Sequence, residues 1–446
     1  WCNGSVAMTG RSYLGTLATA AATTGVTGLK TIISEAAISS WYDYYRDNGL
    51  VIAPGGFPGE DADVLAEECF SRQLDGADYL KVKPFFDQQL AQITRGQDRT
   101  TGDYNTFWDA RNYLKDVANV KCDVLMVHGV NDWNVKPRNV HNLYRALAKL
   151  PVTKKLILHQ GQHIYINAFR SLDYSEMINL WLTNKLYDVA NNADQILPAV
   201  LVQDNVQPET WTAYPDWDKT EVKQQNLYFD QEKLTENQPA KTATVSFSDH
   251  LSDEQFAKYR QNFENWRNTI LADHASDLSD KRLLFKTQPL ANDELLRGAA
   301  HLKLKVASNQ DHGMLSVMLV DYGTAKRLGV SPTVLARKSI SEGYYWREDD
   351  LNEFQLTKKT PFKMISKGHI NLQNRTANYK TDDLQAGEFY DIEFDLQPTF
   401  YHLPQDHQLG LVVYSTDMEM TVRGNEKINY TLDLSECQLT LKTSKY

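Results

Sequence analysis

The sequence predicts an α/β domain built on a largely parallel sheet, followed by an all-β sandwich of jelly-roll type. Three observations carry this. Near the start, short apolar runs alternate with helical stretches. Three of those runs end in chemistry-bearing turns, and past residue 197 the texture changes to alternating Val, Thr and Tyr broken by turn residues. The boundaries expected are 1–196 for the first domain, with a helical insertion over 61–112. The second is expected over 197–446, with a helical patch at 252–271.

The first domain is organised around the turn Thr9-Gly10-Arg11-Ser12-Tyr13-Leu14-Gly15. A short strand over 5–8 precedes it, and an Ala-rich helix over 16–24 follows. A serine between glycines at a strand-to-helix turn has the form of a nucleophile elbow, which lifts the hydroxyl clear of the sheet at a helix N-terminus. Here the second glycine comes one position later than in G-x-S-x-G. A second strand over 29–33 and 36–38 leads to the aromatic cluster Trp41-Tyr42-Asp43-Tyr44-Tyr45. Next come an irregular loop over 54–61 and the helical insertion, read as a cap over the strand ends. The sheet resumes at 122–129 and ends in Asn131-Asp132-Trp133-Asn134-Val135. A helix over 136–150 and a strand over 155–159 follow, then Gln160-Gly161-Gln162-His163 and a closing helix over 174–186.

Beyond the boundary, alternating runs at 301–306, 315–320 and 409–414 read as sandwich strands. The stripe Phe256, Tyr259, Phe263, Trp266 and Ile270 shares one helical face and is expected to pack on a neighbouring element. There is no internal repeat and no low-complexity segment.

The chain of 446 residues is 42% hydrophobic and 23% charged, with a net charge of −10. That charge argues against nucleic-acid or anionic-membrane surfaces, which reward basic patches. No apolar stretch approaches the ~18 residues of a membrane span. Cys2, Cys69, Cys122 and Cys437 lie far apart with no metal-type spacing, a pattern that fits a reducing compartment. The chain opens at Trp1, a few residues ahead of the elbow strand, and is read as a C-terminal piece of a longer protein. On that reading the elbow strand lies at a sheet edge.

Ser12, Asp132 and His163 stand at successive strand ends in the order serine, acid, histidine. This is the chain order of the α/β-hydrolase triad. In that reading Ser12 attacks a carbonyl, His163 carries the proton, and Asp132 fixes the imidazole tautomer. The backbone N–H of Tyr13 is expected to supply half of an oxyanion hole, with the second donor upstream of Trp1. His128 and His159 also end strands, and either could be a structural histidine. His163 is preferred because its strand has already ended and Gly161 precedes it. Asp123 enters its strand at the wrong end, which leaves Asp132. For Trp41 and Tyr44, core packing and a substrate pocket stay equally open.

With these residues in hand, the chain resembles the Xaa-Pro dipeptidyl-peptidases of lactic acid bacteria. The resemblance rests on Trp1-Cys2-Asn3-Gly4, on Met8 through Gly15, and on His128-Gly129 with Asp132-Trp133-Asn134-Val135 and His163. It continues in Asp349-Asp350-Leu351-Asn352-Glu353-Phe354 and Asp395-Leu396-Gln397-Pro398-Thr399-Phe400. It implies a cytoplasmic, homodimeric serine exopeptidase that releases dipeptides with proline second, without metal or cofactor. It also implies that Trp41, Tyr44, Asn134 and Val135 line the proline pocket, and that Glu60 meets the substrate ammonium. Without the resemblance, Glu60 reads equally as a solvated loop carboxylate. An esterase or acylase of the same architecture, or a binding module carried on the sandwich, are the alternatives.

Overall fold

The computed structural model describes residues 2–52, 60–71, 76–241, 243–329, 331–336, 350–421 and 427–446, with backbone only at 76 and 77. Trp1, the 54–59 part of the loop and Asp349 lie outside the described residues.

Six strands form the first sheet in chain order: β1 (Val6–Arg11), β2 (Leu29–Glu35), β3 (Asp123–Gly129), β4 (Lys154–His159), β5 (Val200–Gln203) and β6 (Trp211–Tyr214). The first five are parallel and only β6 runs back. Residues alternate between two buried faces, as they must in a parallel sheet covered on both sides. One face carries Ile32, Val124, Met126 and Leu156, and the other Ile33, Leu125, Val127 and Ile157. Helix α1 (Tyr13–Thr23) covers the first face with small residues, Ala18 and Ala22, so its backbone lies close to the strands. Thr19 Oγ1 fastens it to Ser34 Oγ at 2.9 Å. The helix Arg138–Leu147 covers the same face through Val140, Leu143 and Leu147. The helix Tyr174–Tyr187 covers the other, with Trp181 donating to Thr31 Oγ1 at 2.8 Å.

Three readings of the sequence are adjusted. The run 36–38 is not strand, because Ala36 has φ 43° and turns the chain off β2. The aromatic cluster that follows forms a short helix, α2 (Trp41–Tyr45), in which the Ser40 side chain accepts from the Asp43 N–H. The first sheet also continues past residue 196 through β5 and β6, so it reaches Tyr214. The insertion is helical as read, with helices Ala62–Phe70, Gly76–Gly96 and Thr106–Asp109. Among the described residues the elbow strand β1 pairs with β2 alone, at the end of the strand order.

The rest of the chain is an all-β domain. Thirteen strands make one hydrogen-bonded network, beginning at Thr244–Asp249 and ending at Leu356–Asn371. Phe247 and Ile365, from the two ends of that path, belong to one core, so the network closes over itself. The expected patch is two helices, Asp253–Arg260 and Phe263–Leu271, whose Tyr259, Trp266 and Ile270 pack on Tyr322, Val412 and Tyr414.

The two domains are welded by apolar and charged contacts. Leu295 and Phe400 of the β-domain join the core on one face of the first sheet, and Trp217 donates to Thr399 O at 2.9 Å. Beneath α2 lies a buried ionic chain. Asp47 pairs with Arg138 and with His369 Nδ1 at 3.3 Å, and His369 Nε2 faces Asp417 at 3.2 Å. Lys367 then bridges Asp417 and Glu419 at 3.0 and 3.2 Å. Ionised carboxylates only accept, so both ring nitrogens of His369 carry hydrogen and the ring is an imidazolium. Burial alone would lower its pKa, but its bonds to Asp417 and Asp47 outweigh burial and raise it above the usual 6.5.

A histidine raised on folding gives stability that is complete below its unfolded pKa and is lost as pH rises through its folded pKa. Replacing His369 by Leu is therefore expected to cost about 3 kcal/mol below a pH of about 6.5, the scale of a broken buried ion pair. The gap from wild type narrows as pH rises above the folded value. Urea unfolding midpoints measured across a pH series check both parts.

Candidate active site

The turn between β1 and α1 is forced by close packing. A Cβ on Gly10 would lie 2.6 Å from Leu14 Cβ, and one on Gly15 would lie 2.5 Å from Gly10 O. Glycine at both positions lets the backbone double back within one helical turn. Ser12 itself is held at φ 62°, ψ −132°, a conformation that costs a non-glycine residue free energy and clusters at functional sites. Its N–H donates to Glu35 O at 3.0 Å, and its C=O accepts from Thr16 N–H at 2.9 Å. The N–H of Tyr13 is in the first turn of α1, where no intrahelical acceptor exists, and the residue is exposed. Among the described residues the Ser12 hydroxyl makes no hydrogen bond. Such contacts are often long in unliganded enzymes and shorten when substrate binds.

The acid and the histidine meet. His163 Nδ1 lies 2.7 Å from Asp132 Oδ2, with Asp132 wholly buried and His163 one-fifth exposed. The other carboxylate oxygen accepts from the N–H groups of Asn134 at 3.0 Å and Val135 at 2.9 Å. A carboxylate held at both oxygens has one direction in which to receive the imidazole N–H, which leaves Nε2 free. The competing histidines are engaged elsewhere. His128 Nε2 donates to Val135 O at 2.7 Å, and burial lowers its pKa. His159 Nδ1 accepts from Gly161 N–H at 3.1 Å, and burial, then the neighbouring histidines, push its pKa down to about 3. Both stay neutral. Asp123 serves the opposite end of its strand, accepting from Thr153 N–H and pairing with Lys185.

The elbow and the histidine loop touch through their neighbours. The Arg11 guanidinium carbon lies 4.0 Å from the ring centroid of Tyr165, two residues past His163.

The residues expected to form a pocket are brought together around α2. Trp41 stacks on Tyr45 at 6.1 Å and meets Tyr44 edge-on at 5.8 Å, while Val135 packs in the same cluster. Tyr44 Oη donates to Asn134 Oδ1 at 2.6 Å, so the aromatic cluster is tied to the turn that holds Asp132. Glu60 Oε1 accepts from Tyr45 Oη at 2.5 Å. Burial first, then the charges of Glu60 and Asp132, raise the Tyr44 pKa far above that of a free phenol, so its hydroxyl stays a donor. Next to Glu60, Asp61 pairs with the buried Arg46 at 3.0 Å and caps the helix Ala62–Phe70. Glu60 therefore leads into an anchored segment.

Sequence reasoning passed over three contributors. Tyr45 was seen as part of an aromatic cluster, but its hold on Glu60 joins residues whose contact depends on the fold. Lys136 is buried and donates to Tyr44 O, and burial lowers its pKa to about 8. A lysine just after Asn134-Val135 gives no signal of that contact. Arg11 occupies the variable position of the elbow motif. Among the described residues no group of His, Cys, Asp and Glu could hold a metal ion.

The family described as X-Pro dipeptidyl-peptidase (S15 family) matches residues 1–165. Its C-terminal non-catalytic domain matches residues 191–446. The two matches stand in tandem along the chain. The Xaa-Pro dipeptidyl-peptidase of Ligilactobacillus salivarius is 59% identical over 444 residues, covering 99% of this chain and 55% of that protein. That of Lactiplantibacillus plantarum is 55% identical, covering 100% and 55%. The chain thus spans about half the length of these curated relatives. Among solved structures, an α-amino acid ester hydrolase aligns with TM-score 0.68 at 16% identity, covering 98% of this chain and 76% of that one. A CocE/NonD family hydrolase from Staphylococcus aureus aligns with TM-score 0.66 at 13% identity, covering 100% and 72%. At these identities the likeness is one of fold.

If the Asp132–His163 bond activates Ser12, a fluorophosphonate will label Ser12. Asp132→Asn, which presents the wrong tautomer to His163, will slow labelling by about 10³–10⁴-fold without loss of fold. Mass spectrometry of the labelled peptide and labelling rates check both.

Proposed function

This chain belongs to the X-Pro dipeptidyl-peptidase family, and from that premise we propose that it carries out serine exopeptidase chemistry, releasing Xaa-Pro dipeptides from free peptide N-termini. The observation that carries the reading is the double hold on Asp132. One oxygen fixes His163, and the other fixes the Asn134-Val135 turn on which the aromatic pocket rests.

Ser12 attacks the carbonyl after proline as His163 Nε2 takes its proton, giving a tetrahedral intermediate and then an acyl-enzyme. The Tyr13 N–H at the start of α1 donates to the developing oxyanion. His163 returns the proton to the leaving amine, and water repeats the sequence to free the dipeptide. Asp132 stabilises the imidazolium formed in each half. Acyl transfer by this route calls for neither metal nor cofactor.

Specificity follows from the pocket. A proline ring is apolar and compact, its nitrogen carries no N–H within a peptide, and a slot between Trp41, Tyr44 and Val135 suits it, with Asn134 as a polar neighbour. The substrate ammonium pairs with Glu60, which also accepts from the Tyr45 hydroxyl. An esterase or acylase would share the triad, but a carboxylate fixed beside an aromatic slot favours a substrate with a free amine and a ring. We assign the protein to the cytoplasm, as a homodimer acting on peptides. Four free cysteines, two of them exposed, support a reducing compartment. No helix among the described residues is long and apolar enough to cross a membrane.

A chromogenic Ala-Pro amide and its N-acetylated counterpart test the assignment in the protein that carries this chain. The free amine is expected to be turned over and the blocked one not, and equal turnover of both would remove the exopeptidase claim. Glu60→Gln is expected to lower kcat/KM for the free-amine substrate by about 10–100-fold, the worth of one charge-assisted hydrogen bond.

A further inference from the structure

The bond from Asp132 holds one end of the His163 ring, but it does not set how high Nε2 rides above Ser12. That depends on the loop between β4 and the helix Tyr174–Tyr187, which contains no helix or strand. We infer that Arg11 is the positioning residue for this loop: stacked on Tyr165 and backed by Glu35, it holds the His163 segment against the turn that carries Ser12. The inference rests on the serine-peptidase reading above.

Arg11 is well placed for this. It forms the last register pair of β1 and β2, opposite Glu35, and the next residue is Ser12, whose N–H is bonded to Glu35 O. Its Cα is thus fixed by the sheet at the rim where the elbow begins. From there the guanidinium reaches across to the face of Tyr165, at 4.0 Å from the ring centroid. Arginine suits the task because its flat, weakly hydrated cation stacks on an aromatic face and cannot lose its charge.

Glu35 completes the latch from behind. Its side chain is buried, and Oε1 accepts from Tyr174 Oη at 2.9 Å, at the start of the helix that ends the histidine loop. Its second oxygen, Oε2, is buried with no hydrogen-bond partner among the described residues. Burial raises the Glu35 pKa to about 7, with Tyr174 and the Arg11 charge pulling the other way. A buried carboxyl with a vacant oxygen beside the nucleophile needs a reason. The Arg11 charge acts against that rise, so the carboxyl is within electrostatic reach of the guanidinium without a direct bond that would draw it off the ring. Both ends of the 160–173 loop are then referred to the elbow, one through Tyr165 and the other through Tyr174.

The test uses Arg11→Met, Tyr165→Leu, Tyr165→Phe and the Arg11→Met/Tyr165→Leu double variant. Steady-state kinetics on the Ala-Pro amide and fluorophosphonate labelling rates of Ser12 are the readouts. Misplacing a catalytic group by about 1 Å can cost 10²-fold, so each of the two disruptive single variants is expected to lose about 10–100-fold in kcat and in labelling rate. KM should stay near that of the wild type. The double variant should lose no more than either single one, and Tyr165→Phe, which keeps the ring face, should recover most of the loss. Wild-type kcat in Arg11→Met, a loss confined to KM, or losses that multiply in the double variant would each overturn the inference. Should Arg11→Met fail to fold, the contrast between Tyr165→Leu and Tyr165→Phe decides alone. Ser12→Ala, run in parallel, separates the two levels of the argument. Retained turnover there removes the serine-peptidase reading, whereas abolished turnover with an inert Arg11→Met removes only the latch.

Discussion

Each oxygen of the Asp132 carboxylate holds a different part of the molecule. Oδ2 receives the His163 ring, which arrives from the loop after β4, and Oδ1 receives two N–H groups of the turn that Asp132 itself begins. The second hold matters as much as the first. It places Asn134 for the Tyr44 hydroxyl and points Val135 into the aromatic cluster, so one buried charge sets both the direction of the His163 ring and one side of the aromatic cluster. A carboxylate can be buried this fully only because four hydrogen-bond sites are available and three are used by donors of fixed direction. The acid turn is rigid for the same reason that it is affordable.

The aromatic cluster and its neighbours come from three separate stretches of chain, which are joined by phenol hydroxyls. Tyr44 reaches the acid turn and Tyr45 reaches Glu60, while Trp41 packs against both rings. Burial keeps both phenols protonated, so each acts as a donor throughout the working pH range. Lys136 adds a cation from below, donating to the Tyr44 carbonyl and thereby joining α2 to the residues just after the acid turn.

Much of this was legible in the sequence because strand-end chemistry is local. Gly10, Ser12 and Gly15 announce a sharp turn, and Asp132 and His163 each close an apolar run. Those signals do not depend on knowing the fold. The aromatic run after β2 was legible as a cluster but not as a helix. The strand read over 36–38 is cut off by Ala36, whose left-handed backbone no composition rule would assign to alanine. The end of the first sheet was missed for a related reason: Val200–Gln203 and Trp211–Tyr214 have the same β-branched and aromatic texture as the sandwich, and only hydrogen-bonded partnership assigns them to the other layer. Contacts such as Arg11 with Tyr165, or Asp47 with His369, join residues whose separation in the chain carries no periodicity at all.

The ionic chain beneath α2 bears on how such a protein can change over time. Asp47 comes from the half built on the parallel sheet and His369 and Asp417 from the all-β half, and none of the three has water to fall back on. Swapping either half for that of a distant cousin would strand a charge unless the matching residue came with it. The two halves are therefore expected to have diverged in step, inherited as a single unit even though one of them holds none of the reacting atoms.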